Sequence, residues 1–532
     1  MHSLDWITLS IYLFAMMAMS WGMRKSQKDP KDYYLAGNDL SPWPIALSSA
    51  ATQCSTNSLL GAPAFVAFTG GLLWLQYELA VPLAMAVLIL VFFPVYRRLK
   101  LFSVYDYIEQ RFGKPTRLIL SVLFQFLRAF STGVTIYGIS LVLEHLLGFS
   151  FFVSVILLGI FTIIYDMLGG MKAVIWSDVV QLLVLVGSIL IACAIGVQLN
   201  GGFEATWNTF SGTIGTQTIA FSNLGLEGDP YGFWPMLIGG LFLYVSYYGC
   251  DQTQAQRELS TKNVSDSRKS LLIGGLIRFP IVLSYCFLGV CIGAYASLNP
   301  DFLSLLSDDN GNVSYNLSVP IFVLEQFPFV LKGLVIAGLF AAAMSSLDST
   351  INSLSLLSFQ DLSNNSTAFR KFAKNKTTFV NRALTALWGV VCIIFTFQVE
   401  NIADTVIESI NKIGSLVNGP LLGVFILGFF VKRAGMAAAV TGLATGFGTN
   451  LFLWHFVENL SWLWWNPIGT LVTLSTGFLI TLVKPIQPKN KELYWGENEK
   501  TAWGKARTPV VTLLCFALLI FGVLWIIGTS NA

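Results

Sequence analysis

Residues Ser48 to Pro63 read SSAATQCSTNSLLGAP. The run lies inside an apolar stretch spanning about residues 43 to 70, and it carries too many hydroxyls and amides for a helix that faces lipid. It reads as an interrupted helix. A second polar break, Tyr247 to Gln252 (YYGCDQ), closes the apolar stretch from about 233 to 253. Gly and Pro also kink ordinary packed helices, so either break alone is ambiguous, but the two lie five helical segments apart. Five is odd, so two five-helix units, each opening with a broken helix, enter the membrane from opposite sides. That pattern points to an inverted repeat with a site near the bilayer midplane.

The surrounding chain supports a membrane reading. Apolar residues make up 54% of the 532 residues and charged residues 11%, where a soluble chain carries about 25% charged. Runs of spanning length number fourteen, at roughly 20 residues each. They include 5 to 23, 150 to 169, 174 to 197 and 328 to 358. None alternates as a barrel strand does. Basic residues fall in every second connection: Arg24 to Lys31, Arg97 to Arg117, Lys172, Arg257 to Lys269, Arg370 to Lys376, Lys432 with Arg433, and Lys484 to Arg507. The alternate connections, including 198–232 and 298–327, have no Lys or Arg. By the positive-inside rule both termini face outward, in a multi-pass protein of the cell membrane. The acidic Asp5 opens the first run, which reads as a retained helix and not a signal peptide. The organisation expected is an extra helix and cytoplasmic loop over 1–42, a first repeat over 43–197, an external loop over 198–232, a second repeat over 233–431, and accessory helices over 432–532.

A charge at the bilayer centre costs at least about 2.5 kcal/mol, so Glu78, Arg128, Asp178, Arg278, Asp348 and the pair Glu408 and Lys412 are candidate functional groups. The last two, at i, i+4, also suit a structural ion pair. Phe340 to Ser353 (FAAAMSSLDSTINS) offers small residues for close packing and a row of oxygens. Hard cations take such ligands. A Ser/Thr run also serves as helix-packing glue, but glue does not require the carboxylate of Asp348. The seven cysteines form no CxxC pair and read as small buried residues. No phosphate-cradling GxxxxGK[ST] loop is present, and His2, His145 and His455 lie outside the candidate site, so neither an ATP-driven pump nor an enzyme is expected. A net charge of +3 implies no nucleic-acid partner. Partner proteins stay open.

Five segments in order, Asp32 to Trp43 (DYYLAGNDLSPW), Ser103 to Arg117 (SVYDYIEQRFGKPTR), Tyr165 to Gln181 (YDMLGGMKAVIWSDVVQ), Tyr247 to Arg257 (YYGCDQTQAQR) and Ser345 to Ser353 (SSLDSTINS), resemble the sodium:solute symporter family. The resemblance implies an all-α integral membrane protein with a leucine-transporter-type 5+5 inverted repeat. It implies alternating-access symport of sodium with a small polar solute: a sugar, a sugar acid or a monocarboxylate. Sodium is the coupling ion, and no other cofactor is implied. By similarity the main sodium site uses carbonyls of Ala51, Cys54 and Ala342 with hydroxyls of Ser345 and Ser346. Asp178 matches an acidic residue on the sodium exit path or in a second site. The other ligands of that site fall on Asp348 and Ser349, where a carboxylate replaces the family's hydroxyl, either to bind a cation or to share a proton with Asp178.

For the solute, the resemblance points to Tyr77, Glu78, Tyr247 and Arg278, with Gln53, Ser55 and Ser58 from the first break. Two sugar contacts of relatives are not kept, since Ser58 stands at a glutamine position and an asparagine position falls near Tyr244 or Val245. Arg128 lies one turn from Ser131, the position of a carboxylate-binding arginine in acidic-sugar members; it either takes a carboxylate or pairs with an acid inside the bundle. A transporter-like sensor would use the same pocket and usually add a cytoplasmic signalling domain.

Overall fold

The computed structural model describes residues 2–27, 29–307, 313–399, 406–488 and 490–529. Among these residues the protein is helical with no β-strand, only isolated bridges joining Leu40 to Thr261 and Ser307 to Val313. The principal helices are α1 (Ser3–Met23), α2 (Pro42–Gln53), α3 (Thr56–Phe68), α4 (Gly71–Arg98), α5 (Val104–Phe112), α6 (Lys114–Leu147), α7 (Phe151–Leu199), α8 (Gly240–Gly249), α9 (Gln252–Leu259), α10 (Val264–Leu298), α11 (Leu331–Asn365), α12 (Thr377–Val399), α13 (Val406–Phe430), α14 (Met436–Phe456), α15 (Trp465–Val483) and α16 (Glu497–Thr529).

Eleven helices among the described residues are long and apolar enough to cross a membrane. The sequence reading expects fourteen, and the difference lies at three places. Two expected spans are divided in mid-course, into α2 with α3 and into α8 with α9. Two others fall within the single element α7. A straight helix of its 49 residues would run about 74 Å, more than twice the hydrocarbon thickness of about 30 Å. It turns back at Gly170. Tyr165 and Asp178 stand on either side of that glycine and converge on one segment of α11. The Tyr165 hydroxyl donates to Asp348, while Asp178 shares Arg257 with Ser349. Gly170 adopts φ 55°, ψ −165°, a conformation open essentially to glycine. A Cβ there would also sit 2.8 Å from the carbonyl oxygen of Tyr33.

The first break is local. Cys54 leaves the helical region at ψ 62° and Ser55 is extended at ψ 167°, so the last carbonyls of α2 lose their in-helix amides. At the second break Asp251, extended at ψ 122°, caps α9 by accepting the Thr253 amide at 2.7 Å. Asp is a preferred residue for that role.

The two breaks flank α11, whose apolar window is 89% buried, against 22% for α1 and α16. The outer helices expose large apolar side chains such as Phe14 and Leu518, a surface suited to hydrocarbon. At the opposite extreme, Arg111 of α5 is fully buried and donates to the carbonyls of Gly428 (3.1 Å), Val431 (2.7 Å) and Ala434 (2.8 Å) at the end of α13. It closes a helix terminus that has no amides of its own to offer. The side chain of Glu408 lies outside the described residues, so the expected Glu408–Lys412 pair is not described.

Candidate functional site

Small residues on α11 let it approach the first break closely. The Ser345 hydroxyl donates to the carbonyls of Ala51 (3.4 Å) and Ala342 (3.2 Å). Ser346 donates to Thr52 (3.2 Å) and Ala342 (3.4 Å). Ala51, Ala342, Ser345 and Ser346, all singled out from sequence, therefore converge, and the Thr52 carbonyl joins them. These are hard oxygen donors on two packed helices, one with carbonyls released by a break, which is the ligand chemistry a sodium ion takes. Cys54 sits at the break itself, and its thiol sulfur accepts from Arg278 Nη1 at 3.0 Å.

That guanidinium belongs to a second cluster. Arg278 Nε and Glu78 Oε2 form an ion pair at 3.2 Å with both side chains buried. Tyr244 reaches Glu78 Oε1 at 3.5 Å, and the rings of Tyr77 and Tyr244 stand 5.0 Å apart. Tyr248 donates to Gln53 Oε1. A narrow cavity lined by Ser49, Gln53, Tyr248, Glu258, Ser270 and Arg278 continues from this cluster toward α9 and the start of α10. The structure thus brings Gln53, Tyr77, Glu78 and Arg278 together, and adds Tyr244 and Tyr248. Tyr244 had surfaced in the sequence only as a lost contact position. The signal for Tyr248 was its place one residue before the second break.

Arg128 and Tyr247 lie apart from this group. Arg128 Nε is 3.6 Å from Asp251 Oδ2, and its guanidinium carbon is 5.5 Å from the centre of the Tyr247 ring. Of the two readings of Arg128, the geometry matches pairing with an acid inside the bundle. Tyr247 also accepts from Gln254 Nε2 at 3.0 Å. Ser58 donates to the Gln53 carbonyl at 3.5 Å, and the Ser131 carbonyl accepts from Thr135 at 3.1 Å. Ser55 closes the first turn of α3, its carbonyl accepting the amides of Ser58 and Leu59.

The third cluster surrounds Asp178 and α11. Asp178 Oδ2 accepts from Ser48 at 2.5 Å and from Arg257 Nη2 at 3.0 Å. The same guanidinium donates to Thr52, to Ser349 and to the Thr253 carbonyl, the last at 2.5 Å. Asp348 accepts from Tyr165 and, at 3.0 Å, from Ser349. Asp166 completes the group, with Asn352 donating to it at 3.4 Å. Arg257, fully buried, is the residue the sequence reading missed. It had been counted with the basic connection after the second break. Its place two helical turns into a polar half-helix, QTQAQREL, was the available signal.

Helices broken in mid-membrane against a hydroxyl-bearing helix, with a polar cluster beside each break, define a cation-coupled carrier of leucine-transporter-type fold. A solved Na+-coupled sialic acid symporter in a substrate-bound, outward-open state superposes with a TM-score of 0.81 at 23% identity, covering 92% of this chain and 99% of that one. A nucleobase-cation-symport-1 family transporter in a closed conformation gives 0.52 at 14% identity, covering 89% and 99%.

Residues 33–446 match the sodium:solute symporter family, and the chain belongs to it. Among its relatives, the sodium/sialic acid symporter NanT of Aliivibrio fischeri is 29% identical, covering 90% of this chain and 92% of that protein. The human sodium/iodide cotransporter is 28% identical, covering 81% and 66%. The rabbit (Oryctolagus cuniculus) sodium-dependent multivitamin transporter is 31% identical, covering 82% and 66%. The family and these structural neighbours are transporters, sodium is the family's coupling ion, and the chain is a multi-pass membrane protein.

Proposed function

We propose that this symporter imports a small polar organic solute, a sugar or sugar acid, across the cell membrane by alternating access, with sodium at the first break as the driving ion. The observation that carries the reading is the hydroxyl pair Ser345 and Ser346 set against the carbonyls of Ala51, Thr52 and Ala342. In this reading Ala51, Cys54, Ala342, Ser345 and Ser346 hold the ion. Both hydroxyls turn their protons away from the carbonyls to admit it. Asp178, Asp348 and Ser349 belong to a second cation site. The repeats span 43–197 and 233–431, and both termini face outward.

The solute binds beside the Glu78–Arg278 pair, where a carboxylate, a guanidinium and the phenols of Tyr77 and Tyr244 present both donors and acceptors to hydroxyl groups. A monocarboxylate is the less favoured solute, because the guanidinium of Arg278 already faces Glu78 and that of Arg128 faces Asp251. One sodium moving inward through 100 mV contributes about 2.3 kcal/mol, enough to concentrate a neutral solute roughly 40-fold before the sodium gradient is counted. Uptake of radiolabelled sugars, sugar acids and monocarboxylates into proteoliposomes, with and without sodium, tests the reading. Sodium-independent accumulation, or binding without accumulation as in a sensor, rejects it.

A further inference from the structure

The third cluster has an unused side. Asp178 Oδ2 is fully engaged by Ser48 and Arg257, whereas its Oδ1 has no hydrogen-bond partner. Gln181, one turn further along α7 and so on the same face, is 1% exposed, and both atoms of its amide lack partners. From the neighbouring α1, Tyr12 brings a third orphan. It is 8% exposed, its hydroxyl has no partner, and it faces Gln181 within the fields of Asp348 and Asp178.

A buried polar atom without a partner costs about 1 to 3 kcal/mol, and more where hydrocarbon surrounds the bundle. Four such atoms around one point amount to a large local deficit. Charge adds to it, since three fully buried carboxylates, Asp166, Asp178 and Asp348, share the single guanidinium of Arg257. Water would satisfy the hydrogen-bonding atoms and leave the charge. A monovalent cation satisfies both. The donors available to it are the Tyr12 hydroxyl, the Gln181 carbonyl, Asp178 Oδ1 and the Asp348 carboxylate, all hard oxygens. Among the described residues no group of three His, Cys, Asp or Glu converges as a divalent ion would require.

We propose that Tyr12, Gln181, Asp178 Oδ1 and Asp348 hold a second sodium ion between α1 and the returning half of α7. The proposal rests on the reading that Asp178 and Asp348 belong to a second cation site. It places the ion on the Oδ1 side of Asp178, because Arg257 already fills the Oδ2 side. It also enlists α1, which lies outside both proposed repeats, as a ligand-bearing element.

Equilibrium binding of radioactive sodium to the purified full-length protein in lipid nanodiscs tests it. Wild type is expected to bind two ions per chain, Ser345→Ala with Ser346→Ala one, and Tyr12→Phe with Gln181→Leu one. Tyr12→Phe alone is expected to weaken the second ion at least threefold, and Gln181→Glu, which adds a charged ligand, to tighten it by a similar factor. Opposite shifts of that kind cannot arise from a general loss of fold. Unchanged sodium affinity in both single variants overturns the proposal, as does a wild type that binds one ion lost only in the serine double variant. If the serine double variant still binds two ions while the Tyr12 and Gln181 variants lose one, the first-site reading fails and this one stands.

Discussion

Replacing Arg278 by Met keeps most of the side-chain volume and removes the charge, leaving Glu78 buried without its partner. At 3.2 Å the pair attracts by about 5 kcal/mol for an effective dielectric of about 20. Measured losses on breaking a buried pair from one side run about 3 to 5 kcal/mol, because the survivor is left desolvated and alone. Tyr244 at 3.5 Å offsets little of that. Removing both charges, as in Glu78→Gln with Arg278→Met, leaves a neutral amide that still accepts from Tyr244, and isosteric replacement of a buried pair is often nearly neutral. The expected order of heat stability is therefore wild type about equal to the double variant, with each single variant well below both. Retention of a monodisperse elution peak after heating in detergent reads that order directly. If Arg278→Met is no less stable than the double variant, the charges are not coupled and the geometry of this cluster is wrong.

The same four proteins separate structure from function, because transport depends on the charges even where stability does not. In the double variant solute uptake is expected to fall at saturating sodium, despite restored stability. A double variant with unchanged apparent affinity for the transported solute would assign the pair to scaffolding and move the solute elsewhere.

Ser345→Ala with Ser346→Ala removes two hydroxyls of the first site and is expected to abolish sodium-dependent uptake while the protein still inserts; normal sodium activation in proteoliposomes contradicts the assignment. Glu78→Gln alone is expected to weaken solute affinity by one hydrogen bond, about 1 to 3 kcal/mol, measured as the half-saturating solute concentration; no change for any transported solute takes Glu78 out of the site. Asp348→Ser restores the family's hydroxyl and is expected to keep transport, whereas Asp178→Asn, which also strips Arg257 of its carboxylate, lowers sodium affinity; charge-to-solute ratios that are the same in all three proteins refute this. Gly170→Ala places a Cβ 2.8 Å from the Tyr33 carbonyl at a strained φ/ψ, and a loss of about 1 to 3 kcal/mol should show as a lower melting temperature; a melting temperature equal to wild type contradicts the tight turn.

The large features were legible because membrane insertion imposes them on local sequence. Apolar runs, basic alternation and the two polar breaks each follow from the cost of exposing backbone or charge to hydrocarbon, so they can be read one segment at a time. The hydroxyl pair of α11 was legible for the same reason. What was not legible were the pairings. Tyr165 lies 183 positions from Asp348, and Asp251 lies 123 from Arg128. Only the turn at Gly170 and the crossing of α8 beside α4 bring such residues together.

Arg257 shows the limit most clearly. Near a cluster of lysines and arginines, a basic residue just past an apolar run reads as a solvated cytoplasmic charge, and the positive-inside rule counts it without harm. Burial changes its meaning. Once α9 continues as a half-helix beyond Asp251, the guanidinium is carried inward to Asp178, Ser48, Thr52 and Ser349, and a fixed positive charge stands among the residues that the resemblance assigns to a mobile one. The departure at Asp348 then has a physical reading. A second carboxylate beside Asp178 raises the local negative charge above what one arginine neutralises, so the cluster keeps its appetite for a cation even with Arg257 in place. A chain carrying Arg257 and a serine at 348 would retain only Asp166 and Asp178 against that arginine. Comparing sodium counts between wild type and Asp348→Ser therefore measures how much of the second ion's affinity the extra carboxylate supplies.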